Sequence, residues 1–412
     1  RETFMSIDYF ADHYRNIAFK YKHILCFLSL LCVAFAVFDG FRGTQYKPYF
    51  PFAFLRDLSV FVGGGLGFFI IAKIKIQKSF ALLVFLQIFI CAYSFFTSFL
   101  VSDKAVFVRQ LTLGGGIGFW SKMLSMICIC FLTYAYIYVS GKKAVEKIFK
   151  CFIYCSFLYS LLTIILYLFL PSLYASLPRQ WYGRISIGYP TQDVYVLAIS
   201  LVLLLENILN KTLSILISAV NVSCIIMQNT FTGYILIVFV FFIYFIRFGF
   251  FSKALILSLG FFLLMFVFYI YKNYEVFGNF GVLIKVKADS LILGGTDDPS
   301  FYLRLQQIAM MMKSLFSDWI FVLFGYGGIG GFSVESGVYS TLAFSGVLGI
   351  IIYVFTILYF LFLSIKNKSF ILFSIPSMYI LSSFSISPIY LMSTYWTLGF
   401  LIAYQSFVDE VK

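Results

Sequence analysis

Between Asn273 and Glu335 the chain gathers side chains that could act on a ligand. Asp297 and Asp298 precede Pro299, Arg304 follows on a helix-like pattern, and Phe324-Gly325-Tyr326-Gly327-Gly328 leads to Glu335. A second polar stretch reads Pro178-Arg179-Gln180-Trp181-Tyr182-Gly183-Arg184 and ends Gly188-Tyr189-Pro190, while Arg56-Asp57 stands just inside an apolar run. Arginine's planar fork of donors suits bidentate binding of phosphate, whereas lysine acts as a point charge. Arginines beside aromatic residues and carboxylates therefore suit a phosphate-bearing ligand at a membrane surface, with ion pairs inside the protein as the competing use. The same alternative holds for Arg56 and Asp57, which could shape a site, snorkel or pair elsewhere. Charges within a span cost ~2.5–3.5 kcal/mol on insertion scales.

Other chemistries find little footing. The runs Gly63-Gly64-Gly65-Leu66-Gly67 and Gly114-Gly115-Gly116-Ile117-Gly118 have no Walker Lys-Ser/Thr and no strand context. Close helix packing is their simpler use. Both histidines, His13 and His23, lie near the N-terminus, and the eight cysteines all fall within apolar runs, so neither a metal site nor a disulfide framework is expected.

These residues must be positioned by membrane helices. At 62% hydrophobic and 11% charged over 412 residues, the chain carries more apolar surface than a soluble fold could bury. Runs such as 257–271 and 350–363 lack barrel alternation, which leaves helices. We read an all-α, polytopic integral membrane protein, a single transmembrane domain over 1–412. About twelve transmembrane helices are centred on 24–38, 52–72, 80–100, 119–139, 148–170, 193–209, 213–228, 232–247, 254–271, 337–363, 370–384 and 389–407. Lys20, Lys22, Lys73, Lys75, Lys78, Lys142, Lys143, Lys147, Lys150, Lys211, Lys253, Lys366 and Lys368 share one phase, which puts both termini in the cytoplasm. The net charge of +13 is then a topology signal, not a nucleic-acid signal. In this topology six of nine arginines, Arg42, Arg56, Arg109, Arg179, Arg184 and Arg304, face outward.

The interval 273–335 becomes one large outer loop, and loops of such length are usually functional. Within it Asp298 suits an N-cap and Pro299 a first helical residue. Phe301, Leu305, Ile308, Met312 and Leu315 predict the apolar face of an amphipathic helix, with Arg304, Gln307 and Met311 projecting together elsewhere. The turn Gln228-Asn229-Thr230-Phe231-Thr232-Gly233 could direct backbone amides at an anion or could serve only as a turn.

The order of these pieces resembles the O-antigen polymerase (Wzy-type) family within the O-antigen ligase superfamily. The resemblance rests on three pieces: Arg184-Ile185-Ser186-Ile187-Gly188-Tyr189-Pro190, the large loop late in the chain, and that loop's ending. The ending runs Arg304, Phe324-Gly325-Tyr326-Gly327, Glu335, Tyr339, Leu342 and Gly346-Val347-Leu348-Gly349. It implies a GT-C-like, periplasm-facing glycosyltransferase of a bacterial inner membrane, joining repeat units carried on undecaprenyl pyrophosphate. Lipid-linked glycans serve as both donor and acceptor, membrane lipids surround the chain, and a polysaccharide co-polymerase regulates chain length.

A lipid pyrophosphate is already a good leaving group, so no cofactor and no metal is required. The resemblance makes Glu335 and Arg304 the candidate catalytic pair. The carboxylate would orient or deprotonate the acceptor hydroxyl, and arginine would offset charge on the departing pyrophosphate. Arg184, Arg179 and Arg56 are candidate pyrophosphate ligands, with Asp297, Asp298, Tyr326 and Tyr189 as lesser substrate contacts. Two departures matter. No outer histidine stands where ligases of the superfamily have one, which favours polymerase over ligase, and Gln228-Asn229-Thr230 occupies a turn that often carries arginine. A flippase or other transporter is the alternative from another class.

Overall fold

The computed structural model describes residues 21–39, 50–74, 76–101, 113–177, 183–247, 250–293, 299–316, 318–327, 336–383 and 392–410. Within them the protein is helical and contains no strand. The helices are α1 (Lys22–Phe38), α2 (Phe50–Ile71), α3 (Lys78–Val101), α4 (Leu113–Ser140), α5 (Lys142–Phe169), α6 (Pro171–Ala175), α7 (Pro190–Leu204) and α8 (Lys211–Met227). They continue as α9 (Phe231–Arg247), α10 (Phe250–Lys272), α11 (Gly278–Leu293), α12 (Pro299–Leu315), α13 (Trp319–Phe324), α14 (Gly337–Asn367), α15 (Phe370–Ser383) and α16 (Met392–Glu410). Each apolar run read from the sequence is a helix. Among the described residues, five stretches are long and apolar enough to cross a bilayer: Phe52–Ile71, Lys78–Ser98, Lys122–Ser140, Lys142–Phe169 and Gly337–Asn367.

Helix α7 shows why length alone does not set the inventory. Its 15 residues span only about 22 Å at 1.5 Å per residue, short of a ~30 Å hydrocarbon core. All of them are buried, however, so α7 runs inside the bundle among its neighbours. The periphery is apolar instead: Phe261, Phe262, Phe266 and Phe268 on α10 and Phe362 and Ile365 on α14 are exposed, as a lipid-facing surface requires.

Small residues set a close helix contact. A Cβ on Gly64 would lie 2.2 Å from the Cys128 Cβ, and one on Gly67 would lie 2.5 Å from the Phe131 carbonyl carbon. The first glycine run is thus the seam between α2 and α4, and Gly65, with nothing within 4 Å, faces away from it. The side chains around the second run, 114–118, lie outside what the structure describes.

The described residues of the interval 273–335 form three helices, α11, α12 and α13, where the sequence suggested one. Helix α12 starts at Pro299 as expected, but its packed face is shifted. Met311 and Leu315 are buried and Ile308 and Met312 half-buried, whereas Leu305 is exposed. Met311 therefore belongs to the inner face and not to an outer stripe. The helix rests by its C-terminal half on Phe321, Tyr326 and Ala343, and that contact sets its rotation.

The Gly-Tyr-Gly turn and the later Gly346-Val347-Leu348-Gly349 form one joint. Helix α14 breaks at Gly346, whose φ is +64°. A side chain there would meet the Leu323 carbonyl oxygen at 2.3 Å, and one on Gly325 would meet the Phe344 carbonyl at 2.4 Å. A broken helix frees carbonyls that need donors. Tyr326 N–H donates to the Ala343 carbonyl (2.7 Å) and the Tyr93 hydroxyl to the Ser345 carbonyl (2.7 Å).

Candidate functional site

Two polar clusters occupy the end of the bundle opposite the lysine-initiated helix ends, and the first turn of α7 joins them. The first is an ionic knot. Asp39, completely buried after α1, accepts from Arg56 Nη1 at 2.7 Å, from Gln192 Nε2 at 3.1 Å and from the Met392 backbone N–H at 2.9 Å. It therefore ties the ends of α1, α2, α7 and α16 together. Arg56 also holds Asp57 at 2.7 Å. With two carboxylates on its fork, Arg56 is placed as a structural cation, a use different from the phosphate contact considered for it.

The second cluster begins one residue along α7. Asp193, also buried, takes hydroxyl hydrogen bonds from Tyr159 and Ser186, each 2.6 Å, on the same carboxylate oxygen. Ser186 Oγ accepts from the Gly188 N–H (3.0 Å), while the Tyr174 hydroxyl accepts from Ser186 N–H and donates to its carbonyl. Burial pushes the Tyr174 phenol above its ordinary range, which keeps it a neutral donor and acceptor. These bonds hold the segment 183–189 rigid ahead of Pro190, the first residue of α7. Tyr189 is the residue at that helix's N-cap and half-buried.

The same segment is stitched to the turn between α8 and α9. Ile185 N–H donates to the Met227 carbonyl (2.9 Å), and the Asn229 side-chain amide donates to the carbonyls of Gly183 (3.3 Å) and Phe280 (3.1 Å). Asn229 holds φ +47°, a left-handed conformation that asparagine tolerates better than most residues. Gly183, at φ +65°, allows a close approach to α11, where a Cβ would lie 2.6 Å from the Asn279 carbonyl oxygen. Lys287 on α11 then donates to the Asn229 carbonyl at 2.5 Å. Nearby on the same helix, Lys285 lies over the Tyr274 ring at 4.0 Å and Asp289 accepts from Tyr271 at 2.8 Å.

Arg184 is half-buried between two residues that are themselves bonded to this assembly. Positive charge from Arg184, Lys285 and Lys287 thus gathers on the segment 183–189 and α11 at the end of the bundle. Arg304 lies on α12, and its side chain is outside what is described. Arg179, Asp297, Asp298 and Glu335 also lie outside the described residues. Tyr326 is buried against Phe321, ring centroids 4.8 Å apart, and serves packing in the α12–α14 joint.

Asp39, Gln192, Asp193 and Lys287 were not singled out from the sequence. The first three had a usable signal, being polar residues in or at the edge of apolar runs, where burial without partners is costly. No three His, Cys, Asp or Glu side chains gather as metal ligands among the described residues. No protein-family model matches the chain, and no curated protein matches it in sequence.

Proposed function

We propose that the protein is a lipid-pyrophosphate-dependent glycosyltransferase of the O-antigen polymerase type. In this reading it crosses a bacterial inner membrane about twelve times, with both termini cytoplasmic and its arginine-rich end in the periplasm. One observation carries the proposal: Arg184 and Lys287, distant in sequence, are brought to one polar end by the Asn229 turn. Fixed cations there would offset the charge that develops on a departing pyrophosphate, usually the largest catalytic term. Arg304 and Glu335 keep the roles that the resemblance gives them, pyrophosphate contact and orientation of the acceptor hydroxyl. Gly183-Arg184-Ile185 and α11 would form the site's floor and Asp193 its hydrogen-bonded support. The donor and acceptor are lipid-linked glycans, and a chain-length regulator is the expected partner.

The break in α14 at Gly346 favours a second reading, a polysaccharide-unit flippase, because transporters often use interrupted helices. Disrupting the gene separates the readings on a lipopolysaccharide gel. Polymerase loss leaves core capped by a single repeat, ligase loss leaves bare core, and flippase loss abolishes exported units. Within the polymerase reading, Lys287→Ala and Arg184→Ala should each slow polymerisation by about one to two decades at normal protein level, the worth of one charge-assisted contact. Wild-type chain length and rate in both variants would remove this end of the bundle from the reaction.

A further inference from the structure

The opposite end of the bundle holds a cleft of about 420 Å³, within the ~300–1,000 Å³ range of small-ligand sites. It cannot serve the ligand of the arginine-rich end, because it opens where α9 and α14 finish and α15 begins. Its polar lining includes Glu206, Arg247, Lys368, Ser369 and Tyr404, and Phe370 contributes an apolar wall. We propose that this cleft is a headgroup site for one anionic phospholipid.

Three features point to a phosphate bound from the lipid side. Arg247 is held rigidly: Glu206 accepts from its Nη1 at 3.1 Å, and the Phe370 ring lies 5.0 Å from its guanidinium carbon. A guanidinium has five N–H donors, so the Glu206 bond orients the fork without exhausting it. Next, Lys368 occupies a left-handed position, φ +50°, at the end of α14, with the Ser369 N–H donating to the Ser364 carbonyl. That hydrogen-bond pattern is the helix-ending motif in which glycine is preferred. A lysine there carries a conformational cost and sets a cation at the cleft.

The third feature is the start of α15, capped by Ser369, whose Oγ accepts from the Leu372 N–H at 3.4 Å. Helix starts favour anions. On the last turns of α14, the helix whose end lines the cleft, Phe362 and Ile365 are exposed at 62% and 78% and offer an apolar surface for acyl chains. A headgroup phosphate between Arg247 and Lys368 with its tails along α14 satisfies all of these surfaces. Basic pockets between helix ends at the cytoplasmic side are suited to such lipids.

The test is native mass spectrometry of the purified full chain in detergent, titrated with phosphatidylglycerol or with phosphatidylcholine. One phosphatidylglycerol should be retained about tenfold more strongly than phosphatidylcholine, equivalent to one charge-assisted contact. Lys368→Gly removes the charge and relieves the left-handed strain, so it should lose about that tenfold preference while thermal stability holds or rises. Arg247→Gln should lose the preference as well. Should that variant fail to fold, Lys368→Gly decides alone. Lys143→Gln, which removes an exposed lysine from α5, should change nothing. Undiminished preference in Lys368→Gly, or an equal loss in Lys143→Gln, would overturn the site. Displacement of the lipid by millimolar inorganic phosphate would overturn its assignment to a lipid.

Discussion

Substituting Asp39 by Asn tests how the functional end of the bundle is held. The substitution keeps size and one acceptor oxygen and removes the charge. Asp39 is fully buried and accepts from Arg56, Gln192 and Met392, the last two on one oxygen. Removing one partner of a buried ion pair costs ~3–5 kcal/mol, most of it for the charge left behind. Here Arg56, 11% exposed, retains Asp57, itself 54% exposed and therefore largely screened. An asparagine facing Arg56 with its oxygen must also turn its NH₂ toward the donors of Gln192 and Met392, which loses ~1 kcal/mol of hydrogen bonding.

The retained Asp57 and the lost bonds act in opposite directions, so a destabilisation of ~3 kcal/mol is expected. The assay is equilibrium unfolding in mixed micelles of mild detergent and dodecyl sulfate, followed by circular dichroism. Asp57→Asn should cost under ~1 kcal/mol. The double substitution Asp39→Leu with Arg56→Met should cost far less than its two singles summed, with a coupling of about 2 kcal/mol or more. A cycle that adds without coupling, or an Asp39→Asn variant within the error of wild type, would refute the knot as a stabilising tie.

Two further outcomes follow from packing and topology. Gly64→Ala should destabilise by ~1–3 kcal/mol in the same assay, because its methyl would overlap Cys128 across the α2–α4 seam. Gly65→Ala, facing open space, should be neutral or slightly stabilising; equal effects would dissolve the seam argument. In a background lacking native cysteines, Ser300→Cys should react with an impermeant maleimide on intact cells and Lys143→Cys only after permeabilisation. The reverse labelling pattern would invert the proposed orientation.

Composition and spacing carried the helical architecture a long way. Every apolar run became a helix, including the pair divided only by Gln228-Asn229-Thr230, because that turn interrupts the hydrophobic run with polar groups. Pro299 marked the start of α12, and the first glycine run marked a close contact, since only glycine leaves room for a facing backbone. What stayed hidden was which faces meet. From sequence Arg56 could contact a ligand, snorkel or pair within the protein, and only the structure sets Asp39, 17 residues earlier, beside it; Lys287 likewise reaches a carbonyl 58 residues away.

The misjudged face of α12 has a related cause. Its stripe was extrapolated from spacing, but contact with Phe321, Tyr326 and Ala343 selected Met311 over Leu305. In a water-soluble protein, polarity distinguishes the outer face of a helix from the inner one. On α12 the apolar Leu305 and Met310 are exposed, so polarity does not mark its inner face; in a membrane-spanning helix both faces are apolar, and association depends on shape, small residues and a few polar ties. Sequence alone therefore determined which segments are helical and which residues are costly to bury. Only the tertiary structure could decide their partners, because those partners come from helix ends brought together by packing.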